Sequence, residues 1–132
     1  MLRHAELGFR EEKTSEYIRE RFDALGIKYE YPHALTGVRG IVKGKNNKLN
    51  VCIIGEMDAL QCATHPNASA GGIAHACGHH AQVAAMLGAA TALKKSGVTE
   101  HLDGAVTFFA VPAEEFIDLY EKEDKKIKVF VA

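Results

Sequence analysis

The chain has 132 residues, 47% of them hydrophobic, which is enough for one domain with a buried core. Its formal net charge of -1 gives no electrostatic reason to expect nucleic acid or an anionic membrane as a partner, and no apolar run reaches the ~18 residues of a membrane span. Three irregularly spaced cysteines, Cys52, Cys62 and Cys77, argue against a disulfide framework and favour a reducing, cytoplasmic location.

The N-terminal part of the chain predicts a helix followed by two strands. Between Glu11 and Leu25 the large apolar residues share one helical face, and Gly26 is a suitable residue to end the helix. The stretches 38–42 and 51–54 have the composition of strands. Because a polar segment joins them, we expect these two strands to form a hairpin with a long loop.

The middle of the chain predicts a second helix and a third strand. Apolar residues recur with helical spacing from about His79 to Lys95, and Gly97 follows them. The run 105–111 is typical of a buried strand, which Pro112 would stop. Strands of this apolar kind, alternating with helices, predict an α/β domain whose helices cover both faces of the sheet.

A candidate metal site lies in the segment 75–80, His-Ala-Cys-Gly-His-His. Cys77 and His79 place a thiol and an imidazole on a tight turn, and both groups are ligands for Zn²⁺ and related ions. A thiol just before a helix feels the positive end of the helix dipole, which lowers its pKa and favours the metal-binding thiolate. On this motif alone, a buried cysteine beside two exposed histidines is an equally good interpretation.

Three carboxylic acids could complete such a site. Glu114 and Glu115 come directly after the strand 105–111, and one of them can bind a metal while the other acts as a base on the attacking water. Acids in the first turn of a helix are the commoner explanation of an isolated Glu-Glu pair, but sites in α/β sheets do lie beyond the carboxyl ends of strands. Asp58, after the strand 51–54, could orient a ligating imidazole, or it could be a turn residue or a cap.

The other cysteines and histidines have simpler interpretations. Cys52 is predicted to lie in the core, Cys62 is undecided, and His65 and His101 are predicted to be surface residues in polar loops. A thiol redox protein built on Cys77 is weakly supported, because the chain has no Cys-x-x-Cys pair.

Five short motifs, taken together, are far more specific than any one of them. They are His4-Ala5-Glu6-Leu7-Gly8-Phe9, Thr36-Gly37-Val38, Glu56-Met57-Asp58-Ala59-Leu60, His75-Ala76-Cys77-Gly78-His79 and Pro112-Ala113-Glu114-Glu115. In this order and spacing they resemble the metallo-amidohydrolases of peptidase family M-twenty, which include hippurate hydrolases, N-acyl-amino-acid amidohydrolases and auxin-conjugate hydrolases. The resemblance covers nearly everything from His4 to Phe116.

The resemblance implies a fold, a reaction and a role for each matching residue. The fold would be part of a zinc-peptidase-like α/β catalytic domain with a mixed sheet flanked by helices. Cys77, His79 and Glu115 correspond to metal ligands, Glu114 to the general base, and Asp58 to an acid that orients the site. The implied cofactor is one or two divalent ions, commonly Zn²⁺ or Mn²⁺, and the implied substrate is a small N-acyl amino acid whose amide bond is hydrolysed.

Two departures from the family pattern bear on activity. His80 stands where many relatives have Asp, and relatives are much longer, with two further histidine ligands and an inserted domain that usually mediates dimerisation. The resemblance fades after Phe116, so we predict an incomplete catalytic-domain segment, 1–117, followed by a divergent charged tail, 118–132. The tail fits either a solvated helix leading into an edge strand or a poorly ordered end.

Two hypotheses about function follow. The first is the N-terminal part of a metal-dependent amidohydrolase that has little or no activity on its own, whether as a fragment, a truncated product or a split subunit. The alternative is a non-catalytic binding or assembly module, because the surface where the remaining parts would dock should be apolar. In either case the chain could form a homo-oligomer.

Overall fold

The computed structural model describes residues 1–46 and 48–116, so the predicted tail lies outside the described residues. Helix α1 spans Glu12–Ala24 and helix α2 spans His79–Ser96, close to the predicted bounds. Gly26 and Gly97 follow them with φ angles of 61° and 72°, a left-handed conformation that ends a helix and suits glycine. The strands are β1 (Lys28–His33), β2 (Gly37–Lys43), β3 (Leu49–Glu56), β4 (Leu60–Gln61), β5 (Ile73–Ala74) and β6 (Gly104–Val111).

The main sheet has four strands in the order β1-β2-β6-β3, and β4 and β5 form a separate pair. Strand β6 pairs antiparallel with β2 and parallel with β3. The predicted hairpin between β2 and β3 is therefore wrong, because β6 lies between them, and β2 instead pairs with β1. Strand β1 was not predicted, since its sequence, Lys-Tyr-Glu-Tyr-Pro-His, is polar and interrupted by a proline.

Both α-helices pack on the same face of this sheet. Phe22 of α1 covers Gly40 of β2 so closely that a Cβ there would lie 2.7 Å from its ring, and α2 covers Gly55 of β3, where a Cβ would lie 3.2 Å from the backbone of Val83. In the strand register Gly40 and Gly55 point to the same side. The expected arrangement of helices on both faces is thus wrong for α1 and α2.

The opposite face of the sheet is apolar and only partly covered. Ile54 is 40% exposed on it, Cys52 is exposed, and Ile41 and Phe109 are half-buried. Cys52 is therefore not the core residue that was predicted, because it points to this face from β3, the strand at the edge of the sheet. Among the described residues, neither α-helix combines the length and the apolar character needed to span a membrane.

The core lies between the two helices and the sheet. It contains Ile18 and Phe22 of α1, Val83 and Met86 of α2, and Phe108 of β6, none of which has exposed surface. Each such side chain contributes ~1.5–3 kcal/mol by burial. This packing fixes the carboxyl ends of β3 and β6 relative to the N-terminus of α2, which is where the candidate site lies.

Candidate metal centre

The parallel pairing of β3 and β6 brings two acidic segments to one edge of the sheet. Glu56 pairs with Val111 at the ends of the two strands, and the N–H of Met57 donates to the carbonyl of Val111 at 3.0 Å. Asp58, just after β3, and the Glu114-Glu115 pair, just after β6, therefore lie next to each other. Ligand sites in α/β sheets commonly lie there, beyond the carboxyl ends of parallel strands.

Asp58 holds the imidazole of His79 in one orientation. The two side chains are almost completely buried, and Nδ1 of His79 lies 3.0 Å from the carbonyl oxygen of Asp58 and 3.1 Å from its Oδ1. Both oxygens can only accept, so Nδ1 carries a proton and donates it. Nε2 is consequently the nitrogen that faces the site, as in a metal-binding histidine whose other nitrogen is bonded to a carboxylate.

Three further carboxylates surround Nε2 of His79. It lies 3.0 Å from Oε2 of Glu56, 3.7 Å from Oε2 of Glu114 and 3.8 Å from Oε1 of Glu115. The hydrogen bond to Asp58 is the largest cause that raises the pKa of His79 to about 9, and the charge of Glu56 contributes. Burial by itself would raise the pKa of Asp58, but the hydrogen bonds from His79 and from the N–H of Glu115 lower it overall.

Two buried carboxylates hold the turn that carries the Glu-Glu pair. Ala113 has a φ of 56°, an uncommon conformation for a residue other than glycine, and its N–H donates to Oε1 of Glu11 at 2.8 Å. The N–H of Glu115 donates to Oδ2 of Asp58 at 2.9 Å. Glu114 and Glu115 then begin a short 3₁₀ turn, Glu114–Phe116, so this acidic pair both starts a turn and faces the site.

Cys77 lies beside these acids and is exposed. A hydrogen bond with Glu115 is the largest cause that raises the pKa of its thiol to about 11, followed by burial and the charges of Glu115, Glu114 and Asp58. The expectation of a lowered pKa is therefore wrong, because the nearby carboxylates disfavour the negatively charged thiolate.

One group of three potential ligand atoms includes a residue that the sequence analysis did not assign. Atoms of Glu56, His79 and Glu114 all lie within 4.8 Å of one another, and an imidazole with carboxylates suits a divalent cation such as Zn²⁺ or Mn²⁺. Burial, followed by the charges of Glu56 and Glu115, raises the pKa of Glu114. The signal for Glu56 was its position two residues before Asp58, at the end of the same strand.

His75 and His80 form a pair of rings next to this group. Their ring centroids are 5.4 Å apart. Burial is the largest cause that lowers the pKa of His75 to about 4, and the neighbouring His80 contributes, so His75 is neutral at pH 7. Of the other histidines, His101 is exposed, as predicted, and His65 is half-buried, with its Nδ1 accepting from the N–H of Asn67 at 3.1 Å.

Comparison with known proteins identifies the chain's relatives. Residues 52–124 match the sequence profile of "Peptidase family M20/M25/M40". The chain belongs to this family. The predicted resemblance is confirmed, and so is the predicted fold class, an incomplete α/β domain with a mixed sheet flanked by helices.

Two curated relatives and a solved structure resemble the chain over most of its length. IAA-amino acid hydrolase ILR1-like 2 from Arabidopsis thaliana is 41% identical over 83% of the chain, and N-acetylcysteine deacetylase from Bacillus subtilis is 32% identical over 85% of it. The crystal structure of the Bacillus subtilis YXEP protein, described as a dinuclear metal binding peptidase of this family, matches 87% of the chain with a TM-score of 0.75 and 34% identity. The chain spans only 25%, 30% and 34% of these three proteins, respectively.

Proposed function

We propose that the chain is the part of a family hydrolase that carries the metal centre, and that the reaction is metal-dependent hydrolysis of the amide bond in an N-acyl amino acid or a related conjugate. The main support is the position of His79, whose Nδ1 is fixed by Asp58 while its Nε2 lies among Glu56, Glu114 and Glu115. The names of two relatives, an IAA-amino acid hydrolase and an N-acetylcysteine deacetylase, support this substrate class.

Each predicted site residue has a role in this proposal. His79, Cys77 and Glu115 would hold the cation, which would supply Lewis-acid polarisation of the substrate carbonyl. Glu114 is assigned as the base that would accept a proton from the attacking water, and its carboxylate lies at the site, 3.7 Å from Nε2 of His79. Asp58 is a positioning residue, because it bonds both the imidazole of His79 and the N–H of Glu115. The thiol and imidazole favour Zn²⁺, whereas the carboxylates also suit Mn²⁺.

We expect the 132-residue chain to hydrolyse such substrates poorly by itself. It spans a quarter to a third of the relatives it matches, so contacts that would select the acyl and amino-acid groups are expected in the remainder. Loss of a single donor to the reacting oxygen can cost ~10²–10³ in rate. Hydrolysis of N-acetyl amino acids by the chain alone, at the rate of an intact relative, would contradict this part of the proposal.

Metal content is the first test of the metal centre. The chain, purified without chelators and then dialysed against Zn²⁺ or Mn²⁺, should retain close to one or two ions per molecule by elemental analysis. His79→Ala and Cys77→Ala should lose metal, whereas the matched controls His101→Ala and Cys52→Ala should retain it, because these residues are exposed and outside the site. Equal metal in all five proteins, or metal in none of them, would overturn the assignment.

A second candidate function is a non-catalytic assembly module, and the partly exposed apolar face that carries Cys52 and Ile54 favours it. Such a surface promotes association. A stable oligomer of uniform size that contains no metal, seen by sedimentation, would support this function. A monomer that unfolds when metal is removed would contradict it and would favour the metal centre.

A further inference from the structure

Gln82 and Glu56 form a reciprocal pair across the interface between α2 and β3. The side-chain amide of Gln82 donates from Nε2 to Oε2 of Glu56 at 2.8 Å, and the N–H of Glu56 donates to Oε1 of Gln82 at 3.2 Å. One amide side chain thus contacts both the backbone and the carboxylate of a single residue, 26 positions away in the sequence.

The chemistry of the pair fixes the orientation of both groups. A backbone N–H can only donate, so the atom of Gln82 that faces it must be the oxygen. The amide nitrogen must then face Glu56, and because it can only donate, it requires an acceptor. Gln82 therefore holds the side chain of Glu56 in a defined position.

That position lies within the metal centre. The oxygen of Glu56 that accepts from Gln82 is also the one that lies 3.0 Å from Nε2 of His79, and Glu56 belongs with His79 and Glu114 to the group of ligand atoms within 4.8 Å. Gln82 follows His79 by one turn of α2, so both side chains reach the site from the same face of the helix.

We propose that Glu56 is an additional metal ligand of this chain and that Gln82 is the positioning residue that keeps it in place. This inference rests on the proposed function, since it requires the metal centre around His79. A different role for the pair would be purely structural, as a tether between α2 and β3. The two elements also contact each other where Val83 covers Gly55. Loss of Gln82 therefore need not separate α2 from β3, and its effect on metal binding can be measured apart from its effect on stability.

Zinc affinity, measured by competition with a chromogenic chelator under reducing conditions, tests the proposal. Gln82→Ala should weaken Zn²⁺ binding by ~10–100-fold, the usual effect of removing a group that orients a ligand, and Glu56→Gln should weaken it by at least as much. Gln61→Ala is a matched control, since it also removes an amide hydrogen bond, to the carbonyl of Gly71 at 3.0 Å, but outside the site. Its Zn²⁺ affinity should equal that of the wild type.

A double variant separates positioning from a general structural role. If Gln82 acts through Glu56, the Glu56→Gln, Gln82→Ala protein should bind Zn²⁺ no more weakly than Glu56→Gln alone. Additive losses would overturn the proposal, and so would an unchanged affinity in Gln82→Ala accompanied by a lower melting temperature of the metal-free protein. The variant Gln82→Glu should also weaken binding, because it removes the donor and places a second carboxylate against Glu56.

Cobalt binding distinguishes this inference from the proposed function. With Co²⁺ in place of Zn²⁺, the thiolate-to-metal absorption should persist in Gln82→Ala, since Cys77 is untouched. The ligand-field bands should change, because Glu56 is no longer held in position as a ligand. If the wild type binds metal through His79 and Cys77 but Gln82→Ala leaves the affinity and both sets of bands unchanged, the inference fails and the proposed function stands. If the wild type binds neither ion, both fail.

Discussion

Glu11 is expected to be the residue outside the metal centre on which the geometry of the site depends most. Its side chain has no exposed surface, and it accepts hydrogen bonds from the N–H of Ala113 at 2.8 Å and from Oγ1 of Thr36 at 2.5 Å. Glu11→Ala removes both acceptors while leaving the donors buried. Glu11→Gln keeps an oxygen for Ala113 and offers an N–H to the hydroxyl of Thr36, so it serves as the matched control.

The magnitude follows from the two donors that lose their partner. A buried donor without a partner costs ~1–3 kcal/mol, and the alanine variant has two of them. Part of this cost is offset, because Glu11 itself is held in an unfavourable environment: burial is the largest cause that raises its pKa above 4.5. We therefore expect Glu11→Ala to lower the free energy of unfolding by ~2–4 kcal/mol, and Glu11→Gln by less than ~1.5 kcal/mol.

The same carboxyl group gives stability a pH dependence with a definite sign. Because its pKa is higher in the folded protein than the unfolded value of 4.5, the folded state keeps a proton that the unfolded state has lost as the pH rises above 4.5. The contribution of Glu11 is thus fully present below 4.5 and decreases as the pH rises through the folded pKa. Glu11→Gln removes this contribution, while those of other groups, such as Asp58, remain.

Urea unfolding of the metal-free proteins between pH 4.5 and 7 measures both effects. The wild type should lose stability relative to Glu11→Gln as the pH rises. The reasoning is refuted if the two proteins show the same pH dependence, or if Glu11→Ala is within about 0.5 kcal/mol of the wild type, the range of an ordinary surface substitution. A stable Glu11→Ala protein would mean that the turn at Ala113 is held by other contacts.

Three further predictions test the orientation of the site, the packing of the sheet and its apolar face. Asp58→Asn should weaken Zn²⁺ binding by ~10–100-fold in a chelator competition, because Oδ1 accepts from His79 and Oδ2 from the N–H of Glu115, and asparagine would place its NH₂ group against one of these two donors. Gly40→Ala should lower the free energy of unfolding by ~1–3 kcal/mol, since its Cβ would lie 2.7 Å from the ring of Phe22. Gly88→Ala is the control: a Cβ there would have no atom within 4 Å, so the free energy of unfolding should rise by ~0.5–1 kcal/mol. Chemical denaturation measures both changes. Ile54→Lys should reduce any self-association seen by sedimentation, and Val98→Lys, an exposed position outside that face, should leave it unchanged.

Local patterns were sufficient to predict both α-helices and the strands β2, β3 and β6, but not β1, β4 or β5. The helical spacing before Gly26 and Gly97 predicted both helices, because helix ends depend on residues that are close in sequence. The apolar composition of β2, β3 and β6 predicted these strands for the same reason. Pairing could not be predicted in this way, since a strand's partner is set by contacts distant in sequence, and the long connection through α2 allowed β6 to separate β2 from β3.

The candidate site shows the same division. Cys77, His79, Glu114, Glu115 and Asp58 were chosen as metal-site or catalytic residues from their types and from their positions next to strands and a helix, and the structure brings them together. Their roles remain predictions. The raised pKa of Cys77 could not be foreseen, because it depends on the distance between the thiol and acids that are far away in the sequence.

The contribution of Glu11 was also hidden in the sequence. Nothing in its local surroundings distinguishes it from the neighbouring exposed Glu12, and it contacts Ala113 across 102 residues. Buried carboxylates of this kind are identified only when the fold shows which N–H group they accept from. Glu56 was missed for a different reason, since its motif was noticed but only Asp58 was given a role.

The charges of the site provide a physical reason for cation binding that is independent of family resemblance. Four carboxylates, those of Glu56, Asp58, Glu114 and Glu115, lie within 4 Å of the one imidazole of His79. Even a protonated imidazole balances only one of them, and like charges at this separation repel one another. A divalent cation would relieve the repulsion in the folded state. It gains much less in the unfolded chain, where Glu56 and Asp58 are far from the Glu114-Glu115 pair and from His79. Metal binding should therefore stabilise the fold itself, by RT ln(1 + [metal]/Kd).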